Sequence, residues 1–576
     1  MAPSDRRSSE FPLSRRELLG GLAGGLAATA LAPLARADAA SAATPANTAT
    51  EPPAGTPFPF EEATIADLQS RMERGSETAR SIAAAYLDRI ERLDRSGPTV
   101  NSVIEVNPDA LAIADALDKE RKEKGPRGPL HGIPVLIKDN IDTADRMQTT
   151  AGSLALDPLN SPRPPRDAFL VERLRAAGAL ILGKTNLSEW ANFRSLRSTS
   201  GWSGRGGQTR NPYALDRSPS GSSSGTGAAI AASFAAVGIG TETDGSVVSP
   251  SSVQGLVGIK PTVGLVSRAG VVPIAASQDT AGPMCRTVTD AAILLTALAG
   301  KDPRDPATVA AEGIADYAQG LDPAALAGAR IGVVRVQGFG KNPAVDAIFD
   351  GAVAALRKLG ATVLDPVDLA WSTKELDDAE YEVLLYEFKD GMAKYLAERG
   401  GPMKNLADLI AWNDAHRDRE MPWFGQEIFH AAQAKGPLSD EAYQKARQFC
   451  VDGARTKGIE ATLAADRLDA IVTPTNGFPW LIDWVNGDAY TGGSSSIAAV
   501  AATPSITVPA GLAFGLPVGL SFSGPAWSEA KLIRYAYAFE QGTKARRPPT
   551  FRASADFSTD RMPEPSTAPT TPARKA

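Results

Sequence analysis

Histidine is almost missing from this chain: 576 residues carry three. A metal centre built on imidazole is therefore not expected. Cysteine is scarcer still. Cys285 and Cys450 are too few for a disulfide framework, and neither has the neighbours of a metal ligand. They either pair once or remain two buried thiols. Aromatic residues make up only 6% of the chain, and no run after the first 37 residues is long and apolar enough to span a bilayer. Long basic runs are also lacking. With a formal net charge of −6 there is no electrostatic footprint for nucleic acid, and no such partner is expected.

What is present begins with an address. Ser14-Arg15-Arg16-Glu17-Leu18-Leu19 is a twin-arginine pattern, followed by a small-residue, weakly apolar stretch from Gly20 to Leu34. Ala35-Arg36-Ala37 then offers an A-x-A cleavage site. As a membrane anchor the stretch is marginal in length and too rich in glycine and alanine. Residues 1–37 are expected to be a twin-arginine signal peptide, with the mature chain periplasmic or secreted and not stably inserted in a membrane. Residues 38–60, rich in proline, alanine and threonine, are expected to be flexible. The same composition predicts a disordered tail over 549–576, leaving 61–548 as one catalytic domain.

Within that domain the periodicity alternates. Leu68 and Met72, then Ile82, Tyr86 and Ile90, fall at helical spacing, and Asn107–Lys124 continues in the same style before Gly125-Pro126. Short apolar runs at Ile133–Ile137, Ala179–Leu182 and Val237–Ile239 predict buried strands, with helix-like Leu170–Ala177 and Gly227–Ala236 between them. A helix is predicted over 284–300, strands at Arg330–Val334, Thr362–Leu364 and Ala470–Val472, and mostly helix over 376–466. Helix and strand in alternation predict an α/β fold.

Three short patterns mislead. Gly178 to Thr185 matches G-x-x-x-x-G-K-[ST], but the residues between its glycines are themselves the strand, whereas a phosphate cradle needs the strand before them. Gly221-Ser222-Ser223-Ser224-Gly225 matches G-x-S-x-G, yet no apolar strand precedes it, and His416 and His430 lie in charged, helical surroundings. A Ser–His–Asp hydrolase is thus the weaker alternative. Ser528 and Lys531 match S-x-x-K in residue types that are common everywhere.

The specific signal is a constellation of three separated blocks. Leu130-His-Gly-Ile-Pro-Val-Leu-Ile-Lys138-Asp-Asn comes first. Ser220-Gly-Ser-Ser-Ser-Gly225 and Gly240-Thr-Glu-Thr-Asp-Gly-Ser246 follow inside a Gly/Ser-rich segment that ends in Lys260-Pro261-Thr262. In order and spacing these blocks resemble the amidase signature family. Residues from about Pro57 to Pro548 are similar to the bacterial peptide amidases of that family, most closely in Gly183–Phe193, Gly206–Tyr213 and Ser277–Met284. Two departures stand out. Many members have an arginine where this chain has Val248, and a glycine where it has Asp244. Peptide-amidase-like members share the Glu242/Asp244 version.

The resemblance implies a single large domain, a mixed β-sheet flanked by α-helices, and a Ser–Ser–Lys triad. Ser246 is the implied nucleophile. Ser222, following a non-proline cis peptide, relays its proton, and Lys138 is the base. Backbone N–H groups of Thr243, Asp244 and Gly245 form the implied oxyanion hole. An exposed lysine titrates near 10.4 and is no base at neutral pH, so Lys138 has to be desolvated. Its position at the end of an apolar run allows that, and allows a surface strand cap equally. The implied substrate is a primary carboxamide, a peptide or amino-acid amide, hydrolysed with no cofactor and no metal. An aryl acylamidase or a cyclic-amide hydrolase would use the same triad. A role as the ammonia-donating part of an amidotransferase is disfavoured by the export signal, and a monomer and a homodimer both stay open. Ser198–Gln208 and the helices around 376–430 are expected to wall the pocket.

Overall fold

The computed structural model describes residues 58–311, 316–335, 339–369 and 373–558. The expected signal peptide over 1–37 lies outside the described residues, as do 38–57 and 559–576.

Thirteen strands are present among the described residues: β1 (Val103–Val106), β2 (Pro134–Lys138), β3 (Leu180–Thr185), β4 (Trp202–Ser203), β5 (Gly207–Gln208), β6 (Val237–Glu242), β7 (Val257–Lys260), β8 (Thr280–Cys285), β9 (Arg330–Val333), β10 (Thr362–Leu364), β11 (Ala470–Pro474), β12 (Ser505–Ala513) and β13 (Leu516–Ser523). Eleven form one mixed sheet in the order β1-β3-β2-β6-β8-β7-β12-β13-β11-β9-β10, and β4 and β5 make a separate small ladder. β2 runs parallel to both neighbours, with Ile137 opposite Ile239 of β6. Every residue of β2, β3 and β6 is buried, the state of a strand covered on both faces, which is why these segments read as continuous apolar runs rather than alternating ones. Helices pack on both sides of one large core that spans the sheet. A second cluster, including Trp190, Phe193, Phe388, Met392 and Phe429, joins the loop after β3 to the helix Thr373–Arg399. The protein is an α/β domain built on a mixed sheet.

Several local expectations change. The helix predicted from residue 284 starts at Val288, because Met284 and Cys285 belong to β8, the antiparallel neighbour of β6. Gly282 and Pro283 lie inside that strand, and both read from sequence as breaks. β7, β12 and β13 were hidden for the same reason: proline and glycine interrupt their apolar residues. The disordered tail expected from 549 is corrected for 549–558. Phe551 N donates to Pro212 O (2.9 Å), Leu215 N donates to Arg552 O (2.8 Å), and the Phe514 and Phe557 rings stand 5.2 Å apart. At the other end Phe58 and Phe60, placed in the flexible segment, pack against Tyr86. Both cysteines are free and buried.

Candidate active site

Lys138 closes β2, and its side chain is completely buried. Nζ lies 2.7 Å from Ser222 Oγ, 2.9 Å from Thr241 Oγ1 and 3.2 Å from Thr241 O. Burial pulls its pKa down from 10.5 to about 7, against the smaller opposing pull of the Glu242 and Asp279 carboxylates. Two other lysines are fully buried, and desolvation lowers them too, Lys260 to about 8. Lys184 Nζ donates to Ile141 O and Thr149 Oγ1, and Lys260 Nζ to Pro261 O. Only Lys138 meets a serine hydroxyl.

Ser222 is delivered by an irregular turn between the strands. Its peptide bond with Gly221 is cis, and Ser220 has left-handed backbone (φ 59°). Gly221 cannot carry a side chain, since a Cβ there would collide with Ser188 Oγ and sit 2.8 Å from Asn192 Oδ1. Ser188 N donates to Ser222 O (3.1 Å), and Ser223 N donates to Ser246 O (3.2 Å). That second bond ties the turn to the next loop. Ser224 then begins the helix Ser224–Ala231, which packs close to β6 because Gly240 has no Cβ to strike Ser223 Oγ.

Thr243 to Ser246 connect β6 to the helix Val248–Val253. The Glu242 carboxylate at the end of β6 accepts from Val247 N (2.7 Å) and Val248 N (3.0 Å), so it caps the helix that follows Ser246. Thr243 Oγ1 donates to Asp279 Oδ1 (2.6 Å), and Asp279 Oδ2 accepts from Ile274 N and Ala275 N (2.9 Å each). Burial holds the Asp279 carboxyl up at about 6. Gln278 Nε2 donates to Thr243 O (3.3 Å) and to Glu380 Oε1 (2.7 Å). Gly245 has φ +77°, and a Cβ there would meet Ser495 Oγ at 2.8 Å. Asp244 Oδ2 accepts from Ser496 Oγ (2.6 Å). The carbonyls of Thr243, Gly245 and Ser246, the Thr243 hydroxyl and Asp244 Oδ2 are engaged within the protein. Its backbone N–H groups at Thr243, Asp244 and Gly245 meet no protein acceptor among the described residues. Exposure follows the same order: Lys138 and Ser222 are 0% exposed, Ser246 8%.

The structure therefore gathers Lys138, Ser222 and the Thr243–Ser246 loop, the latter two joined through Ser223 N and Ser246 O. Thr241, Asn140, Gln278 and Glu380 join them without any one of them standing out in the sequence. The first three lie inside the blocks quoted above; Glu380 has no marker in the sequence. The two segments expected to wall the pocket do reach this region. Ser200 Oγ stands 3.2 Å from where a Gly221 Cβ would be, and Glu380 comes from the helix Thr373–Arg399. Of the misleading patterns, G-x-S-x-G coincides with the Ser222 turn but meets no histidine among the described residues, and the other two lie apart. Gly183 to Thr185 are strand β3, His416 stacks on Trp412, and Lys531 pairs with Asp469.

A buried amine against a serine hydroxyl, beside a second serine loop with free N–H groups, is a site for acyl transfer. The amidase family's model matches residues 81–533, and the chain belongs to that family. A native peptide amidase from Stenotrophomonas maltophilia is 53% identical, covering 86% of this chain and all of its own, with a TM-score of 0.82. The same kind of enzyme solved with the competitive inhibitor chymostatin is 54% identical, covering 85% of this chain and all of its own, with a TM-score of 0.83. A probable amidase from Arabidopsis thaliana is 43% identical over 511 residues, 86% of this chain and 93% of its own length. A glutamyl-tRNA(Gln) amidotransferase subunit from Symbiobacterium thermophilum is 37% identical over 484 residues, 82% of this chain and 94% of its own.

Proposed function

We propose that this amidase hydrolyses primary carboxamides, the C-terminal amides of peptides or amino-acid amides, through Ser246, Ser222 and Lys138. The observation that carries the mechanism is the arrangement around Lys138 Nζ. Thr241 O and Oγ1 engage two N–H bonds, so in the neutral amine the lone pair faces Ser222 Oγ at 2.7 Å. Ser246 Oγ attacks the amide carbon and passes its proton to the Ser222 hydroxyl, which gives its own to Lys138. The oxyanion is held by the backbone N–H groups of Thr243, Asp244 and Gly245. The proton returns from Lys138 through Ser222 to the nitrogen as the C–N bond breaks, and ammonia leaves. Water then cleaves the acyl ester on Ser246 by the same relay, restoring neutral Lys138. Similarity at 53–54% identity to peptide amidases over their full length supports the peptide-amide preference.

Ammonia release from a blocked dipeptide amide tests this. Ser246→Ala should abolish it, and Ser222→Ala and Lys138→Ala should reduce it severely. Undiminished turnover by Ser246→Ala overturns the mechanism. Turnover of anilides or cyclic amides alone would overturn the substrate and keep the triad. We further propose that Arg15-Arg16 and Ala35-Arg36-Ala37 direct export with cleavage before Asp38; mass spectrometry of the mature N-terminus checks it.

A further inference from the structure

Beside the triad lies a small cavity bounded by Asn140, Ala151, Trp190, Ala191 and the 272–274 loop, with about 10 Å³ available to the centre of a water-sized group. That is room for one such group and no more. Its lining residues are apolar except Asn140 and the indole N–H of Trp190. Asn140 Nδ2 donates to Thr241 Oγ1 (2.9 Å), and its other amide atom, Oδ1, is buried with no hydrogen-bond partner. Trp190 Nε1 is likewise buried without a partner. Asn140 is 3% exposed and Trp190 2%. One orphaned acceptor and one orphaned donor, on two residues that line a single one-molecule cavity, suit an occupant that can both donate and accept.

The backbone points the same way. Trp190 (φ 49°, ψ 34°) and Ala191 (φ 54°, ψ 40°) are both left-handed, and Asn192 follows at φ 66°. Three consecutive non-glycine residues in this region are costly, and such conformations persist where they position something for function. Here they place Trp190 on the cavity, with its ring edge-on to Phe429 (5.7 Å) and its backbone N–H bonded to Ala151 O (2.9 Å). Asn140 in turn shares Thr241 Oγ1 with Lys138 Nζ, so two hydrogen bonds separate it from the proton relay.

We propose that this cavity receives the leaving nitrogen of the substrate. Asn140 Oδ1 accepts an N–H of the primary amide through the tetrahedral stage. When Ser222 delivers its proton and the C–N bond breaks, that bond's electron pair stays on nitrogen as the lone pair of ammonia, which accepts from Trp190 Nε1–H. An N-alkyl or N-aryl group needs volume the cavity lacks. The inference rests on the acyl-enzyme mechanism above and deepens it: selectivity for primary over substituted amides resides in Asn140 and Trp190, independently of the acyl group.

The test holds one acyl group constant, chosen from any primary amide the full-length enzyme hydrolyses, and varies the leaving group: amide, N-methylamide, anilide and methyl ester. A failed peptide preference therefore leaves the test intact. The intact enzyme is expected to favour the amide over the N-methylamide by at least about a hundredfold in kcat/KM, on the scale by which sites reject badly fitting groups. Trp190→Phe keeps an aromatic ring but removes the donor together with the pyrrole half of the indole, which also widens the cavity. It is expected to lower kcat on the amide by about three- to tenfold, the size of one hydrogen bond. Asn140→Ala is expected to lower it about tenfold to a hundredfold. The ester's methoxy group has no N–H for Asn140 and is too large for the cavity, and as a better leaving group it departs without meeting Trp190, so in Trp190→Phe its hydrolysis should stay within about twofold. Run in ammonium buffer with the ester, both variants should form less amide relative to acid, because ammonia is captured less well by the acyl-enzyme. Equal losses on amide and ester, with an unchanged partition between ammonia and water, would mean that the cavity holds only an ordered water, and overturn the proposal. So would equal turnover of amide and N-methylamide by the intact enzyme.

Discussion

The side-chain amide of Gln278 bonds the carboxylate of Glu380, 2.7 Å away, and turns its other N–H to the carbonyl of Thr243. A peptide unit is planar and its C=O and N–H point oppositely. Fixing Thr243 O therefore aims the N–H of Asp244 away from Gln278, as an oxyanion donor requires. Removing one such donor elsewhere costs about a hundredfold or more in kcat, and misaiming one should cost less. Glu380→Ala is expected to lower kcat about tenfold with KM little changed, while Glu380→Gln, which still offers an acceptor, keeps most of the activity. Steady-state kinetics on a primary amide decides it.

As the proposed base, Lys138 is expected to set the pH dependence. With its pKa near 7, the neutral base is lost on acidification, so kcat/KM should rise through about pH 7 and level off above it. A pH–rate profile flat across pH 6 to 8 would contradict the role given to this lysine.

The same burial costs stability. Between about 7 and 10.5 the unfolded chain carries a proton at this position that the folded protein does not, so stability rises with pH across that window, and the penalty is full below it. Lys138→Met should abolish activity and raise Tm by a few degrees at neutral pH. The gain should shrink as pH approaches 10.5. Thermal melts at several pH values report both.

Glu242 holds the turn that carries Ser246 by accepting from two backbone N–H groups. Glu242→Ala leaves both donors unpaired in a buried place, at a cost of about 2 kcal/mol or more, and frees the nucleophile loop. Chemical denaturation should show the loss, and turnover should fall about a hundredfold or more.

At Gly245 a methyl group meets both an unfavourable φ and Ser495 Oγ. Gly245→Ala should be nearly inactive. Adding Ser495→Gly removes the collision and leaves the backbone strain, so activity should return in part.

The three groups of the proposed relay stood out in the sequence because each sits in a short local block: a lysine ending an apolar strand, and two serines in glycine-rich turns. Buried parallel strands such as β2 and β3 were legible for the same reason, as continuous apolar runs. What escaped was long-range or disguised. Glu380 meets Gln278 across 102 positions with no pattern linking them. β8 carries Gly282 and Pro283 in mid-strand. Asn140 lay inside a quoted block, but its orphaned oxygen exists only once Thr241 has engaged the other half of the amide.

Residues 549–558 are less expendable than their composition implies. Phe551 and Arg552 are laced to Pro212 and Leu215, on the segment that leads into the Ser220–Ser224 turn. A protein trimmed at 548 would keep every side chain of the proposed relay and lose the clasp that steadies the approach to Ser222. Its defect would show as slack geometry and weakened turnover in an otherwise folded enzyme.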